Sequence, residues 1–241
     1  MRVARSLLYL LVLIVITPFY WVITMLSAPL PRLTRWRIIA GWPRFAAWLA
    51  GPLLGITFVV KGRQNIPTEP CMIFSKHSSA WETLAFSGIF PPHIYVLKRE
   101  LLWIPFLGWG LALFSPIAIN RSNRRQAMQR LTEQGVVRFR QGFSIMIFPE
   151  GTRVPIGRRA PWRGGGAALA CGLDAKVLPV AHDAGRFWPR NALVKTPGRI
   201  TVSIGSPIDT RGMSADAVMR QVETWVESEV ERITGITARR S

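Results

Sequence analysis

Seven short segments rich in β-branched and aromatic residues recur along the chain, and turn residues bound them. They read ITFVVKG, CMIFSK, HIYVLK, PIAIN, SIMIFP, KVLPVA and ITVSIG. Their hydrophobicity is continuous rather than alternating, which is typical of strands that are buried on both faces of a sheet. Helical patterns lie between several of them, at residues 80–90, 123–141, 163–172 and 214–234. The sequence therefore predicts an α/β fold whose mainly parallel sheet carries helices on both faces.

An uncharged apolar segment, LLYLLVLIVITPFYWVITML, precedes the first of these strands and runs from Leu7 to Leu26. Its length is enough to cross a hydrocarbon core of about 30 Å. A secretory signal would have a shorter apolar region and small residues before its cleavage site, whereas this segment ends at Leu26. We therefore expect it to be a membrane anchor and not a signal peptide.

Basic residues flank this segment on both sides, which bears on how it sits in the membrane. They are Arg2 and Arg5 before it and Arg32, Arg35, Arg37 and Arg44 after it. Flanks that are basic at both ends disfavour a single crossing, because basic residues stay on the cytoplasmic side. Pro18 is expected to break the first stretch, and a second one, IIAGWPRFAAWLAGPLLGI, follows. We expect residues 1–55 to form a membrane-embedded two-helix hairpin that dips into one leaflet, with a single spanning helix as the alternative.

The charge balance of the chain indicates an anionic partner. The 31 Lys and Arg outnumber the 13 Asp and Glu, which gives a formal net charge of +18. The arginines are interleaved with apolar helices and no recognised nucleic-acid motif occurs, so we expect an anionic membrane surface and no nucleic acid.

The 241 residues are enough for one domain with an appendage. We place an α/β domain at residues 56–235 and expect residues 236–241 to be a loose tail. Cys71 and Cys171 lack metal-ligand spacing, so we interpret them as free thiols in a reducing compartment and expect neither a metal site nor a disulfide.

Polar residues follow three of the predicted strands, at the edge where ligands bind in open α/β sheets. His77 follows CMIFSK, Asn120 and Arg121 follow PIAI, and Glu150 follows SIMIFP. These residues therefore mark the expected active site.

His77 and Glu82 lie five positions apart in SKHSSAWETL. They can meet only if His77 precedes a helix and Glu82 lies in its first turn, because residues five apart on one helix do not share a face. Ser79 and Glu82 have the spacing of a capping box, which supplies that geometry. The same spacing allows a structural alternative, in which Glu82 only caps the helix and His77 is a loop residue. The residues alone leave both interpretations open.

Several motifs together resemble the glycerolipid acyltransferase family, with the order and rough spacing of the 1-acylglycerol-3-phosphate acyltransferases. They are KHSSAWETL, KRELLWIPFLGWG with INRS, FPEGTR and VLPVAH, within roughly residues 55–210. The resemblance implies an enzyme that moves an acyl chain from acyl-CoA or acyl carrier protein to the sn-2 hydroxyl of 1-acylglycerol 3-phosphate, making phosphatidate. It needs no cofactor beyond that co-substrate, and we expect it at the cytoplasmic face of a bacterial inner membrane.

The resemblance also implies roles for the first motif. In the family a histidine is followed five positions on by an aspartate, so His77 is expected to be the general base and Glu82 the acid that orients it. Glu82 is one methylene longer than aspartate but can still accept the imidazole N–H.

The other motifs imply the substrate contacts. FPEGTR matches the acceptor-phosphate motif, which implies phosphate binding by Glu150, Gly151, Thr152 and Arg153, with Val154 where a serine is frequent. Arg121 matches the second block and is expected to bind the same phosphate. Candidates for the acyl and donor site are Lys98, Asn120 and Pro179.

The chemistry fits these residues, because an alcohol that attacks a thioester must lose its proton as the bond forms. Imidazole, with an ordinary pKa of about 6.5, is suited to that role near neutral pH. We expect direct attack of the acceptor hydroxyl without an acyl-enzyme. A serine hydrolase is disfavoured, because the chain has no G-x-S-x-G nucleophile elbow. RGGGAALA also lacks the Gly-Lys-Ser/Thr of a P-loop. The alternatives are another lysolipid acceptor, such as a lyso-ornithine lipid or a lysophospholipid, and a non-catalytic basic membrane-surface protein.

Overall fold

The computed structural model describes residues 1–120 and 122–240. Its helices are α1 (Arg2–Leu26), α2 (Arg32–Ile39), α3 (Gly41–Leu54), α4 (Trp81–Ile89), α5 (Leu107–Leu113), α6 (Arg124–Arg140), α7 (Gly165–Gly172) and α8 (Ala215–Thr234). Its strands are β1 (Ile56–Lys61), β2 (Met72–Ser75), β3 (His93–Lys98), β4 (Ile117–Ile119), β5 (Ser144–Ile147), β6 (Arg158–Arg159), β7 (Val177–His182), β8 (Gly198–Ile204) and β9 (Arg239–Arg240).

Seven of these strands form one sheet in the order β1-β8-β7-β2-β5-β3-β4. All neighbouring pairs are parallel except β7 and β8, which run antiparallel with Val180 opposite Ile204. The predicted mainly parallel sheet is confirmed. Since β7, β2, β5, β3 and β4 point the same way, the residues that follow them meet at one edge.

Alternate residues of the strands enter two hydrophobic cores, one on each face of the sheet. Met72 and Phe74 pack in the core that α6, α7 and α8 cover, and Ile73 packs in the core that α1, α3 and α4 cover. All three side chains are fully buried. This arrangement confirms the predicted helices on both faces and explains why the strand segments lack a polar side.

Residues 1–55 form three helices, whereas the sequence predicts two. Pro18 does not break the first: α1 continues through it, and the Thr17 hydroxyl donates to the Leu13 carbonyl one turn earlier. The second apolar segment lies in α2 and α3, which Ala40 separates. The embedding of these helices as a hairpin in one leaflet stays a prediction.

Helix α1 packs antiparallel to α3 and leaves its outer face open. The Arg5 side chain donates to the Leu53 carbonyl, and the Tyr9 hydroxyl donates to the Ala46 carbonyl at 2.9 Å. α1 is long and apolar enough to cross a membrane, and exposed residues such as Ile14 line its outer face. This helix points to association with a membrane.

The last described residues are attached to the body of the protein. Residues 236–240, expected to be loose, return so that Arg239 lies opposite Arg158 in the β6–β9 pair. The Ala238 N–H also donates to the Glu231 carboxylate on α8. Helices α1 and α3 share a hydrophobic core with the sheet. The division into separate domains at residues 1–55 and 56–235 stays a prediction.

Candidate active site

His77 and Glu150 meet because β2 and β5 are neighbours in the sheet. His77 lies two residues beyond the end of β2, and Glu150 three beyond the end of β5. The His77 N–H donates to Glu150 Oε2 at 2.8 Å, and the His77 carbonyl accepts from the Val154 N–H at 2.7 Å. Two of the motifs found in the sequence are thus joined through the backbone of His77.

Glu82, in the first turn of α4, pairs with His77 and also binds the backbone just before the helix, so the two interpretations of this acid are compatible. Its Oε1 accepts from His77 Nδ1 at 2.9 Å and from the backbone N–H groups of Ser78 and Ser79 at 2.9 and 2.8 Å. The Ser79 hydroxyl accepts the N–H of Trp81, where α4 begins. The carboxylate is fully buried, so these three donors hold it firmly in place.

The imidazole of His77 presents its other nitrogen toward the open side of the site. Because the Glu82 carboxylate only accepts hydrogen bonds, Nδ1 carries the proton and Nε2 is left with its lone pair. Nε2 has no hydrogen-bond partner within the described part of the chain, and the side chain is 14% exposed. The ring stacks on Phe148 with centroids 4.1 Å apart. This arrangement suits a base that accepts a proton at Nε2.

Burial and the surrounding charges set the pKa values of the pair. Burial lowers the pKa of His77 below its ordinary value, although Glu82 acts in the opposite direction and the positive charge of Arg153 adds to the decrease. Burial alone would raise the pKa of Glu82, but His182, the His77 hydrogen bond and the Ser79 N–H together lower it. The pair therefore holds a neutral imidazole beside an ionised carboxylate.

Lys76, one residue before His77, is held at its backbone and at its side chain. Its N–H donates to the Val180 carbonyl at 3.2 Å and its carbonyl accepts from His182 Nε2 at 2.8 Å. Its ammonium lies 2.7 Å from Glu150 Oε1 and 2.8 Å from Glu227 Oε1, and the side chain is 1% exposed. Burial raises the pKa of Glu150 to about 7; Lys76 opposes this shift, whereas Glu227 adds to it.

The FPEGTR turn brings basic side chains together beside His77. Gly151 has a φ of +68°, a conformation that favours glycine, and the Arg163 guanidinium lies over it. Thr152 is exposed and accepts from Arg190 at 3.4 Å. The Nε of Arg153 is buried and has no hydrogen-bond partner among the described residues. Arg153, Arg163 and Arg190 thus surround the turn with positive charge.

The remaining residues singled out in the sequence lie at different distances from this centre. Lys98 ends β3 and is exposed. Asn120 follows β4, and its Oδ1 accepts from the Ser122 hydroxyl at 2.7 Å. Pro179 lies inside β7 opposite Phe74 and is buried, so the structure does not bring it to the open edge. Arg121 lies outside the described residues.

Some residues around His77 were not identified from the sequence. Lys76 was quoted in the motif but given no role, and Glu227 belongs to a helix that carries no motif. The signal for Glu227 is weak: it follows Val226, which with Val222 and Val230 forms the buried stripe of α8. Only the structure shows that an acid beside such a stripe meets Lys76.

Three comparisons relate the chain to known proteins. The protein-family model described as Acyltransferase matches residues 57–183. The 1-acyl-sn-glycerol-3-phosphate acyltransferase of Pseudomonas aeruginosa is 43% identical over 92% of this chain and 88% of that protein. The alpha form of the mouse 1-acyl-sn-glycerol-3-phosphate acyltransferase is 28% identical over 69% of this chain and 60% of its own length.

The fold also matches a solved structure, the 1-acyl-sn-glycerophosphate acyltransferase PlsC from Thermotoga maritima. The TM-score is 0.79 at 24% identity, with 99% of this chain and 100% of that chain covered. The family-model match spans more than half of the chain, and the bacterial relative extends over nearly all of it. The chain belongs to the acyltransferase family.

Proposed function

We propose that this acyltransferase moves an acyl chain from acyl-CoA or acyl carrier protein to the sn-2 hydroxyl of 1-acylglycerol 3-phosphate, making phosphatidate. The observation that carries the proposal is the His77 imidazole, whose Nδ1 is bound to the buried Glu82 and whose Nε2 is unengaged by the described residues. The names of the relatives in Pseudomonas aeruginosa and mouse support the acceptor.

The reaction would proceed by direct attack. The acceptor hydroxyl oxygen forms a bond to the thioester carbonyl carbon as His77 Nε2 takes its proton, and Glu82 stabilises the imidazolium that forms. Collapse of the tetrahedral intermediate breaks the carbon–sulfur bond, and the thiolate leaves and receives the proton from His77. The thioester carries the activation, so the proposed reaction uses no resident cofactor.

The arginines around the FPEGTR turn would bind the acceptor phosphate. Arg153 has a buried Nε without a partner among the described residues, and a guanidinium matches the geometry of phosphate oxygens. The Gly151 turn and the Thr152 hydroxyl would add shorter contacts, and Arg121 stays a proposed ligand. Both carboxylate oxygens of Glu150 already have partners, the Lys76 ammonium and the His77 N–H. We therefore propose that this acid positions its neighbours and does not contact the phosphate.

The acyl and donor side of the site would lie toward β3 and β4. Lys98 ends β3 and Asn120 follows β4, and this position supports a proposed role for them toward the thioester donor. Buried Pro179 would contribute only through packing within β7.

The enzyme would work on the cytoplasmic face of a bacterial inner membrane. The apolar surface of α1 and the net charge of +18 support contact with an anionic bilayer. The lysophosphatidate acceptor would then reach His77 without leaving the membrane.

The test uses the full chain in detergent with acyl-CoA and lysophosphatidate, and follows thiol release. His77→Ala should lower kcat by about 10²- to 10⁴-fold with an unchanged melting temperature. Unchanged turnover in the folded variant would remove the proposed base.

The acceptor is tested separately. Arg153→Ala should raise KM for lysophosphatidate, whereas Arg140→Ala, an exposed arginine at the end of α6, should leave it unchanged. Equal turnover with an unphosphorylated monoacylglycerol would contradict the assignment of Arg153 to the phosphate. Faster turnover with a lysophospholipid that has a larger headgroup would show that lysophosphatidate is not the preferred acceptor.

A further inference from the structure

The Lys76 ammonium is a buried cation with no place in the proposed chemistry. Its side chain is 1% exposed, and a cation in such a place is strongly unfavourable without carboxylate partners. It has two, Glu150 Oε1 at 2.7 Å and Glu227 Oε1 at 2.8 Å. A buried ion cluster of this kind is weak evidence for stability, because apolar residues of similar size often serve as well. This raises the question of what else the cluster does.

Glu150 connects this cluster to the base. One carboxylate oxygen, Oε1, faces the ammonium of Lys76, while the other, Oε2, accepts the His77 N–H at 2.8 Å. The Lys76 ammonium therefore fixes the orientation of the Glu150 carboxylate, and the carboxylate in turn holds the His77 N–H in place.

Glu227 extends the connection to α8. It lies in the second half of that helix and is 2% exposed. Arg159 on β6 faces its other oxygen, with Nε 3.7 Å from Oε2. The charged groups around Glu150 are thus Lys76 from the end of β2 and Glu227 from α8, with Arg159 behind Glu227 and His182 of β7 on the Lys76 carbonyl.

The backbone polar atoms on both sides of the His77 Cα all have hydrogen-bond partners. The Lys76 carbonyl accepts from His182, the His77 N–H donates to Glu150, and the His77 carbonyl accepts from the Val154 N–H. A backbone held at each polar atom keeps Nε2 in one position, and small displacements of a catalytic group lower rates strongly.

We propose that Lys76, Glu150 and Glu227 form a positioning relay that fixes the backbone of the catalytic base His77, with Lys76 as its central member. The inference rests on the proposed function, since it gives His77 the role of base. None of the three residues is proposed to touch substrate, so each acts through His77.

The relay gives the enzyme a pH signature. Protonation of Glu150, whose pKa is about 7, replaces a charge-assisted hydrogen bond to the His77 N–H with a weaker neutral one. The kcat/KM profile of the wild type should show a partial step of about tenfold near pH 7, above the pH at which His77 itself is protonated.

Two variants test this signature. Lys76→Met removes the cation that keeps the pKa of Glu150 from rising further, so the step should move to higher pH. At pH 7 kcat should fall by about tenfold while KM for lysophosphatidate changes less than about twofold. Glu150→Gln should abolish the step, because glutamine does not titrate. Lys176→Met, an exposed lysine before β7, is the matched control and should keep the wild-type step.

The outcomes separate the relay from the reaction it serves. A folded Lys76→Met protein with wild-type kcat and an unmoved step would overturn the relay, as would a step that persists in Glu150→Gln. If Lys76→Met does not fold, Glu150→Gln decides alone, because it keeps a one-to-one pair of Lys76 and Glu227. Full turnover in His77→Ala removes the base and the relay together. Loss of turnover in His77→Ala with wild-type behaviour in both relay variants removes the relay only.

Discussion

Glu82 binds both the backbone before α4 and the proposed base His77 with the same oxygen atom. Oε1 accepts the N–H groups of Ser78 and Ser79, just before α4, and the imidazole N–H of His77. A capping residue that is fixed by backbone donors is itself a rigid support for a histidine. The backbone between His77 and Glu82 therefore fixes the Glu82 carboxylate, and no other helix or strand has to hold it.

Glu82→Gln separates the charge of this residue from its shape. The amide oxygen can still accept the backbone N–H groups, so unfolding free energy should fall by only about 1–2 kcal/mol. Loss of the negative charge removes the stabilisation of the imidazolium, and kcat should fall by about 10²-fold or more. Thiol-release kinetics and thermal unfolding measure both, with Glu133→Gln on the exposed side of α6 as the control. A purely capping role would leave kcat unchanged.

The lowered pKa of His77 predicts where the enzyme loses activity in acid. A base with a lowered pKa stays neutral below the ordinary value of about 6.5, so the main decline of kcat/KM should lie at lower pH than that. Because Glu82 raises the pKa of His77, Glu82→Gln should move the decline to still lower pH. A main decline above pH 6.5, or a shift to higher pH in the variant, would contradict the assignment of His77 as the titrating base.

Helix α1 approaches the start of α3 closely because residue 41 is a glycine. A Cβ added at Gly41 would lie within van der Waals overlap of the Tyr20 hydroxyl, with the ring carbon that bears it at 3.3 Å. The same hydroxyl donates to the Ile38 carbonyl at the end of α2. The contact thus joins all three N-terminal helices.

Gly41→Ala should therefore destabilise the protein by about 1–3 kcal/mol through overpacking. Most of this loss should disappear in a Tyr20→Phe background, because the phenylalanine lacks the clashing oxygen. A double-mutant cycle by thermal unfolding in detergent measures the coupling. Additive effects of the two substitutions would show that α1 does not lie against α3 in this way.

The sequence predicted elements better than contacts. The strand segments and the long helices are recovered because continuous apolar runs and helical periodicity follow directly from burial. The prediction that Pro18 breaks the first helix was wrong, because α1 runs from Arg2 to Leu26 with the proline inside it. The pairing of Arg239 with Arg158 carries no apolar signal and was missed. The strand ends predicted that His77 and Glu150 would meet, but the link from Lys76 to Glu227 depends on tertiary packing that no local pattern records.

On the scale of the whole molecule, apolar surface and positive charge act together. The outer face of α1 exposes large apolar side chains, among them Ile14 at 60%, and the net charge is +18. Exposed aromatic residues at Trp103, Phe106 and Trp109 continue this surface, because Phe106 and Trp109 pack against Trp21 of α1. Such a combination favours an anionic bilayer, where charge attracts the protein and apolar burial retains it.

Vesicle flotation tests this surface. Binding should be stronger to vesicles that contain anionic lipid, and salt should weaken but not abolish it, because screening leaves the apolar contribution. At high salt, Ile14→Lys should reduce binding by about tenfold or more. Val137→Lys, which adds the same charge at an exposed position on α6, should bind as the wild type does. Equal binding by both variants would show that α1 stays outside the bilayer.

The pairing of β1 with β8 has a consequence for the order in which the protein assembles. Ile56 lies beside Gly198, and β1 lies at the edge of the sheet with β8 next to it. During synthesis, the helices of residues 1–55 leave the ribosome long before β8 exists, so β1 must wait without a partner while the intervening strands form. Pairings between such distant segments close late and slowly. An apolar N-terminus that meets the bilayer early would keep the unfinished chain at the membrane while the rest of the sheet forms.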